Sequence, residues 1–312
     1  MKVMTFAPVA IPTLNRYEHL RDCIDSLARC EHSSETVLFV SVDYPPSEKY
    51  KEGYIKIKEF LEKGIDGFKD VVVIYQDHNL GAVKNCDFLK DLVFKSYDRL
   101  IFTEDDNVFS NNFLDFMNKA LSVYQNNAKV TSVSGYSAPT VSESAIKDSL
   151  IFSYNNSAWG IGLWKDKEKE YESLPIDYYE GIVRDIKKTA KLIKCFPTAL
   201  FSLIEMLRLG RQYGDTKRSC RNVIEDKYQV TPKLSMVRNC GHDGSGINGG
   251  SFSNDPFLNQ RIDERSSFDI QDWSVHSTPF SDKCVRRLGM PKYRLIRLLR
   301  ISFEVFRYRI TH

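Results

Sequence analysis

The chain lacks the cysteine patterns of a disulfide-stapled or zinc-ribbon protein. Its seven cysteines are an odd number, and no two of them are spaced C-x-x-C. Neither a disulfide framework nor a zinc ribbon is therefore supported, and a reducing, cytoplasmic compartment is expected.

Long apolar runs are also missing. The first ten residues hold one lysine and no apolar run of signal-peptide length. The most apolar stretch, residues 192–209, is interrupted by Lys194, Pro197 and Glu205, whereas a membrane span needs roughly 20 apolar residues. We expect neither a secretion signal nor a transmembrane helix.

Two glycine-rich phosphate-binding motifs are absent as well. No early apolar run is followed by G-x-G-x-x-G or by G-x-x-x-x-G-K-[ST]. Because those motifs cradle phosphates in dinucleotide-dependent dehydrogenases and in P-loop ATPases, both classes are disfavoured.

What is present is a core-forming composition with an uneven charge. Of the 312 residues, 42% are hydrophobic, which is enough for a large core. The net charge is +3, but residues 286–309 carry eight Lys/Arg against one acid, so this segment is +7 and the rest of the chain is −4. A uniformly basic nucleic-acid binder would not show this asymmetry.

The basic segment has the pattern of an amphipathic helix. One helical stripe, flanked by arginines, contains Leu295, Leu298, Leu299, Ser302 and Phe303. Two interpretations stay open: an interfacial helix on an acidic membrane surface, or a helix that docks on the protein core and leaves a solvated basic rim.

The first 135 residues alternate apolar runs with helical patterns. This alternation predicts an α/β fold with a mixed, mostly parallel, doubly wound sheet flanked by helices. Ligands of such sheets bind at the carboxyl ends of the strands, beside a switch in strand order. We expect three regions: a nucleotide-sugar-binding half over 1–140, an acceptor-binding and catalytic half over 141–282, and a basic C-terminal segment over 283–312.

The strongest local signal is an apolar run, residues 100–103, that ends abruptly in Glu104, Asp105 and Asp106. Carboxylate oxygens suit a hard divalent cation such as Mg²⁺ or Mn²⁺, whose remaining positions a diphosphate and water can fill. The alternative is a set of solvated acids before the next helix, where the helix dipole also favours negative charge.

With its surroundings, the acidic loop resembles the D-x-D region of glycosyltransferases with the GT-A fold. Residues 10–16 (AIPTLNR) resemble the opening strand and polar loop of family two members, and residues 37–43 resemble their second strand, which ends in a base-binding aspartate. Residues 77–82 (DHNLGA) are similar to their N-x-G segment. The order and spacing of these pieces extend over most of the chain.

This resemblance implies donor contacts for three side chains. Arg16 would pair with the diphosphate, Asp43 would accept a hydrogen bond from the base, and His78 would contact base or ribose. Each has an alternative: a solvated charge at a helix start, a turn-forming aspartate, and an ordinary polar loop residue.

The closest pattern is that of inverting N-acetylglucosaminyltransferase I. Its metal loop is also Glu-Asp-Asp, followed by a phenylalanine-rich helix, which here corresponds to residues 104–106 and 112–116. Residues 157–164 resemble its Gly-Trp acceptor loop, residues 213–218 resemble the segment with its catalytic aspartate, and residues 232–246 resemble the strand and loop that close over the donor. The chain departs from the family by having glycine before the aspartate and by lacking the tryptophan there.

The roles that follow from this pattern fall into three groups. Asp106 would hold the metal, with Glu104 and Asp105 beside it at the donor. Asp215 would be the general base, with Glu205 and Asp243 as alternatives, although residues 214–218 also fit the start of a short helix. Trp159 and Trp164 would stack on a sugar unless they pack in the core, and His242 would reach phosphate or metal when its loop closes.

The function expected from the resemblance is transfer of a sugar, with inversion, from a nucleoside-diphosphate sugar such as a UDP-sugar to a glycan or lipid-linked acceptor. Surface polysaccharide assembly at the inner face of the plasma membrane would suit such an enzyme. A sugar-1-phosphate nucleotidyltransferase is the enzyme alternative, but the loop after the first strand has no glycine. A catalytically inactive nucleotide-sugar-binding scaffold is the other alternative.

Overall fold

The computed structural model describes residues 6–138, 150–244, 259–265, 270 and 294–311, with side chains in the last range from 301 to 310. The basic residues at 286–292, the side chains of Leu295, Leu298 and Leu299, and most of the predicted glycine-rich loop lie outside the described residues. No helix in the described part of the chain combines the length and the apolar character of a membrane-spanning segment.

Ten strands and ten α-helices make up the described chain. The strands are β1 (Val9–Thr13), β2 (Val37–Val42), β3 (Asp70–Tyr75), β4 (Arg99–Phe102), β5 (Asn107–Phe109), β6 (Val130–Ser134), β7 (Leu150–Ser153), β8 (Ile161–Trp164), β9 (Tyr228–Pro232) and β10 (Val237–Asn239). The helices are α1 (Tyr17–Ala28), α2 (Lys51–Glu62), α3 (Ala82–Phe94), α4 (Phe113–Val123), α5 (Lys165–Glu172), α6 (Ile176–Arg184), α7 (Ile186–Cys195), α8 (Pro197–Leu209), α9 (Gly214–Glu225) and α10 (Arg294–Thr311).

Eight strands form one sheet in the order β3-β2-β1-β4-β8-β6-β9-β7. The pairings of β1 with β2 and β4, of β2 with β3, and of β6 with β9 are parallel, whereas β8 and β7 run antiparallel to their neighbours. The predicted mixed, mostly parallel sheet flanked by helices is therefore confirmed. Strands from both sides of residue 140 share this sheet, and the predicted division into functional halves stays a prediction.

Side-chain alternation along β1 divides the core into two layers. Val9 and Ile11 pack in the larger cluster with α1 and α4, while Ala10 faces the other way, toward Leu89 of α3. Since successive residues of a strand point to opposite faces of its sheet, one short apolar run serves both layers. Both faces of the sheet are thus covered, and the ends of its strands remain for a site.

Strand β8 was not predicted, because residues 157–164 resembled an acceptor loop. In the structure Ile161–Trp164 is the antiparallel strand between β4 and β6. Gly162 is required there: a Cβ at this position would lie 3.0 Å from side-chain atoms of Leu121 and of Met117 on α4. The glycine lets α4 pack directly on the sheet.

Candidate active site

The acidic loop lies at the carboxyl end of β4, beside the switch in strand order. From β1 the chain continues to β2 and β3 on one side of the sheet and returns to β4 on the other. The carboxyl ends of β1 and β4 are therefore neighbours, as in other open α/β sheets that bind ligands at such a point. Asp105 and Asp106 are both buried there.

Arg16 connects the two strand ends. It follows β1 at the start of α1, and its Nη1 donates to Asp106 Oδ2 at 2.7 Å while its Nη2 bonds to Asp105 Oδ1. Burial alone would lower the pKa of the guanidinium, but the two carboxylates outweigh this effect and raise it above its ordinary value. The positive charge opposite the two aspartates is therefore supplied by an arginine of the chain.

Hydrogen bonds occupy the remaining oxygens of the two aspartates. Thr13 Oγ1 donates to Asp105 Oδ2 at 2.7 Å, and Asn239 Nδ2 donates to Asp106 Oδ1 at 2.8 Å. Burial raises the pKa of Asp105, although Arg16 opposes this shift. Gly241 closes the other side, since a Cβ there would lie 2.1 Å from Asp106 Oδ2.

Glu104 is the half-buried acid of the loop and faces a different set of residues. Its Oε2 accepts a hydrogen bond from Trp159 Nε1 at 3.1 Å. Burial, then the charges of Asp106 and Asp215, raise the pKa of Glu104 to about 8. Asp215, in the first turn of α9, bonds to Asn156, and Asn156 is three residues before Trp159.

Asp215 is exposed to solvent, but many protein atoms lie around its carboxylate. The resulting partial desolvation raises its pKa. Asn156 Nδ2 donates to Asp215 Oδ1 at 3.2 Å. Residues 214–218 do begin a helix, as the alternative predicted, but Asp215 lies in the first turn and the capping position belongs to Tyr213. The Asp215 side chain bonds to Asn156, in the loop before β8.

The two alternative bases lie in different places. Glu205 is exposed on α8, and within the described residues it makes no hydrogen bond or ion pair. Asp243 Oδ2 is 3.2 Å from His19 Nε2, one turn of α1 beyond Arg16, and so stands at the edge of the site. The structure thus brings Asp215 and Asp243 near the acidic loop and links Glu205 to nothing in it.

Asp43 holds a loop. Its two carboxylate oxygens accept hydrogen bonds from four donors, namely the backbone N–H groups of Tyr44, Leu80 and Gly81 and the side-chain amide of Asn79. Gly81 has a φ of 78°, which favours glycine, and α3 begins immediately after it. His78 is exposed on the same loop, beside Asp77.

The two tryptophans have different environments. Trp164 is 2% exposed, and its Nε1 donates to the Leu121 carbonyl at 3.0 Å, so it is a core residue and cannot stack on a sugar. Trp159 is half-buried beside Glu104, with the Tyr136 ring 4.7 Å away and the His242 ring 6.0 Å away. Trp159 and His242 therefore belong to the candidate site, whereas the stacking role proposed for Trp164 is wrong.

Three site residues escaped sequence analysis: Thr13, Asn156 and Asn239. Thr13 was identifiable in principle, as the last residue of an apolar run next to Arg16. Asn156 and Asn239 had no local signal, because they reach the site only through pairing of distant segments, such as β10 with β5.

A second group of candidate metal ligands lies elsewhere. Glu31, His32 and Asp115 place one ligand atom each within 4.8 Å of the others. They stand beyond the far end of α1, a helix of 12 residues and therefore about 18 Å long, so they are separate from the acidic loop. His32 Nδ1 is bonded to Glu35 at 2.7 Å, and Nε2 lies 3.6 Å from Asp115.

The acidic loop has the oxygen donors that Mg²⁺ or Mn²⁺ prefers. Asp106, with Asp105 beside it, fits such an ion, on the condition that the Arg16 guanidinium leaves Asp106 Oδ2, which it occupies in the structure. The displaced guanidinium has the planar donor geometry that binds phosphate oxygens in pairs. The residues therefore fit a metal that arrives together with a phosphorylated ligand.

Comparison with known proteins gives likeness in structure alone. No protein-family model and no curated protein sequence matches the chain. Among solved structures, S. aureus TarS (15% identity, TM-score 0.37) and TarS 1–349 in complex with UDP (15% identity, TM-score 0.38) each match 54% of this chain. The glycosyltransferase GlyE of Streptococcus pneumoniae TIGR4 (13% identity, TM-score 0.35) matches 72% of it.

The chain spans less than half the length of each of these proteins, with coverage of 30%, 49% and 45% of theirs. At such low similarity, the activity of this chain has to be inferred from its own site.

Proposed function

We propose that the protein is a glycosyltransferase that moves a sugar, with inversion, from a nucleoside-diphosphate sugar to a hydroxyl group of a glycan or lipid-linked acceptor. One observation supports this most strongly. A cationic and acidic cluster of Arg16, Asp105 and Asp106 lies at the switch in strand order. A separate carboxylate, Asp215 of α9, bonds to Asn156, three residues before the Trp159 that donates to Glu104.

The two parts of the site suit the two charges that such a reaction moves. An acceptor hydroxyl attacks the anomeric carbon, its proton passes to the Asp215 carboxylate, and the bond from that carbon to the diphosphate breaks. The electron pair of that bond leaves with the diphosphate. Among the described residues, Asp215 is the carboxylate proposed as base and none is assigned as a nucleophile, which favours inversion by the same logic that applies to glycosidases.

Asn156 holds Asp215 through one oxygen, at 3.2 Å, and leaves the carboxylate open to solvent. An aspartate fixed in this way can accept a proton from a bound hydroxyl without rotating first. A positioned base of this kind contributes about 10²- to 10⁴-fold to the rate.

At the donor, the Arg16 guanidinium would bind the diphosphate oxygens and neutralise charge that develops on them. Asp106, with Asp105, would hold a Mn²⁺ or Mg²⁺ ion, and when bound the ion would supply Lewis-acid stabilisation of the leaving diphosphate. Trp159 and His242 border this region, where they would contact the sugar or the phosphates.

Further roles follow from the resemblance. Asp43 would contact the base either directly or through the loop of residues 79–81 that it holds, and His78 on that loop would contact base or ribose. UDP is the expected nucleotide, and N-acetylhexosamine or hexose the expected sugar. A lipid-linked acceptor in surface polysaccharide assembly would place the enzyme at the inner face of the plasma membrane.

The test is a thermal-shift panel of UDP, GDP, CDP and CMP, each with and without Mn²⁺, on the wild type and on Asp106→Ala. A ligand at 100 times its dissociation constant stabilises a fold by about 2.7 kcal/mol, which is measurable. We expect one diphosphate to stabilise the wild type in the presence of metal and to lose this effect in the variant.

Two outcomes would contradict the proposal. If none of the nucleotides stabilises the protein, the acidic cluster does not bind a nucleotide-sugar and the proposed function is wrong. Stabilisation without turnover or slow donor hydrolysis would favour the inactive scaffold instead.

A further inference from the structure

Helix α10 has two apolar faces, and the described part of the chain buries one of them. Ile301, Val305 and Tyr308 are buried. Phe303, Phe306 and Ile310 are exposed by 61%, 62% and 67%. With about 100° between successive residues, these three lie within an arc of about 60°, opposite the buried set. We call Phe303, Phe306 and Ile310 the outer face.

The buried face fixes α10 to the body of the protein. Arg309 donates from Nε to the Val183 carbonyl at 2.9 Å and from Nη2 to Thr189 Oγ1 at 3.1 Å. At the other side, Arg208 of α8 pairs with Glu304 at 2.8 Å. The alternative of docking on the protein core is therefore correct for one face of the helix, and that docking holds the outer face away from the core.

Exposed apolar residues flank α10 where it contacts the body. Ile186 is 72% exposed and lies three residues from both Val183 and Thr189, the partners of Arg309. Leu209 is exposed next to Arg208. The three side chains of the outer face form one apolar stripe on the helix, and monomeric proteins rarely expose a large apolar patch without a binding function.

Helix α10 is itself basic. It contains five arginines and one acid, Glu304; Arg307 is exposed on it, and Lys187 is exposed beside Ile186. Phenylalanine and isoleucine next to arginine and lysine are the residues with which an interfacial helix enters the boundary between headgroups and acyl chains of an anionic membrane. A symmetric contact between two copies would instead bring two helices together, each with a net charge of +4 over residues 294–311, and electrostatic repulsion disfavours this.

We propose that the outer face of α10 binds the surface of an anionic lipid bilayer, with Phe303, Phe306 and Ile310 entering the interface. This face overlaps the apolar stripe predicted from the sequence, with which it shares Phe303, and it adds Phe306 and Ile310. The inference does not depend on the transferase activity, because it concerns a surface remote in sequence from the acidic loop.

The experiment is co-sedimentation of the full chain with phosphatidylcholine vesicles, with and without phosphatidylglycerol. The test variant is Phe303→Ser/Phe306→Ser/Ile310→Ser. The matched control is Ile55→Ser/Val83→Ser, which changes side chains exposed by 51% and 52% on α2 and α3. Since all five residues are exposed, neither variant removes core packing, and circular dichroism verifies the fold.

We expect the wild type and the control to partition onto phosphatidylglycerol vesicles and the triple variant to partition roughly 100-fold less, given the apolar area withdrawn from water by three such side chains. Arg307→Gln should weaken partitioning about fivefold, and added salt should weaken it further. Equal sedimentation of the triple variant and the control would overturn the proposal.

Light scattering on the same samples tests whether the outer face binds a second copy of the protein instead. A wild-type dimer that becomes monomeric in the triple variant, with no loss of vesicle binding, would assign the outer face to self-association and also overturn the lipid proposal.

Discussion

Two clusters of arginine and carboxylate in this protein surround their buried acids in different ways. In the first, Glu168 of α5 is held by Arg218 of α9 through both oxygens, at 2.5 and 2.6 Å, and by Lys90 of α3 at 3.1 Å. Two cations there surround one buried acid. In the second, Arg16 alone faces Asp105 and Asp106, with Glu104 nearby.

The pKa directions express this difference. Burial alone would raise the pKa of Glu168, but Arg218 and Lys90 outweigh it and lower the pKa to about 2. Burial raises the pKa of Asp105 despite Arg16. A buried carboxylate with two cationic partners is a satisfied structural joint, whereas two buried carboxylates that share one arginine at a strand end can accept another cation.

Helix α9 joins the two clusters. Asp215 lies at its start, and Arg218 follows less than one turn later, with its guanidinium carbon 3.9 Å from the centroid of the Tyr171 ring. Tyr171 in turn donates from its hydroxyl to the Gly214 carbonyl at 3.3 Å. The structural cluster therefore positions the proposed base of the reactive one.

The largest expected effect is on turnover. Asp215→Asn should keep donor binding and lose about 10²- to 10⁴-fold in the rate of transfer, because the amide cannot accept the acceptor proton. Steady-state kinetics with the donor that the thermal-shift panel identifies would measure this. Glu205→Gln and Asp243→Asn are the controls, and an equal loss in either of them with an active Asp215→Asn would transfer the role of base.

The next effect is on stability. Glu168→Ala leaves Lys90 and Arg218 without their shared buried partner and should cost about 3–5 kcal/mol of the free energy of unfolding. Glu172→Ala removes an exposed partner of the same lysine and should cost less than about 1 kcal/mol. Denaturant unfolding compares the two. Similar losses would contradict the assignment of Glu168 as the centre of a structural joint.

A smaller effect concerns metal affinity at the second cluster. Arg16→Gln removes the internal cation from Asp106 and should tighten binding of Mn²⁺ alone by about tenfold, while weakening nucleotide binding. Titration calorimetry measures both affinities. Arg21→Gln, on the exposed part of the same helix, is the control. Unchanged Mn²⁺ affinity in Arg16→Gln would show that the guanidinium does not compete with the ion.

The smallest effect is a pH dependence of stability. The pKa of Glu168 is about 2 in the folded protein, below its unfolded value of about 4.3, so its contribution is complete above pH of about 4.3 and is lost as the pH falls toward 2. Glu168→Gln should flatten the acid side of the stability curve in denaturant titrations at successive pH values. An unchanged slope would mean that other carboxylates control acid unfolding.

Much of the fold was predictable because its signals are local. Apolar runs identified β1, β2, β3, β4 and β6, and an acidic triplet after β4 indicated where a site would lie. What failed was set by distant pairing: β8 contains glycine, which is unusual in strands, and only its position between β4 and β6 makes it one. Trp164 was misassigned for the same reason.

The candidate site was predictable to a similar degree. Arg16 and the three acids were expected near a donor, but their direct ion pairing depends on β1 and β4 being neighbours, which no local pattern shows. Three of the four hydrogen-bond donors to Asp43 likewise lie on a distant loop, whose Asn79 is 36 residues away in sequence.

The two-stranded ribbon of β5 and β10 gives the acidic loop a mechanical connection. Asn107, directly after Asp106, pairs with Asn239, and Cys240 donates its backbone N–H to the Asp106 carbonyl at 2.8 Å. The two antiparallel strands are hydrogen-bonded to each other, so the acidic loop and the segment after β10 are joined through the backbone. We therefore expect a displacement of Asp106 on arrival of a cation or diphosphate to shift Gly241 and His242 as well, since they follow directly on β10.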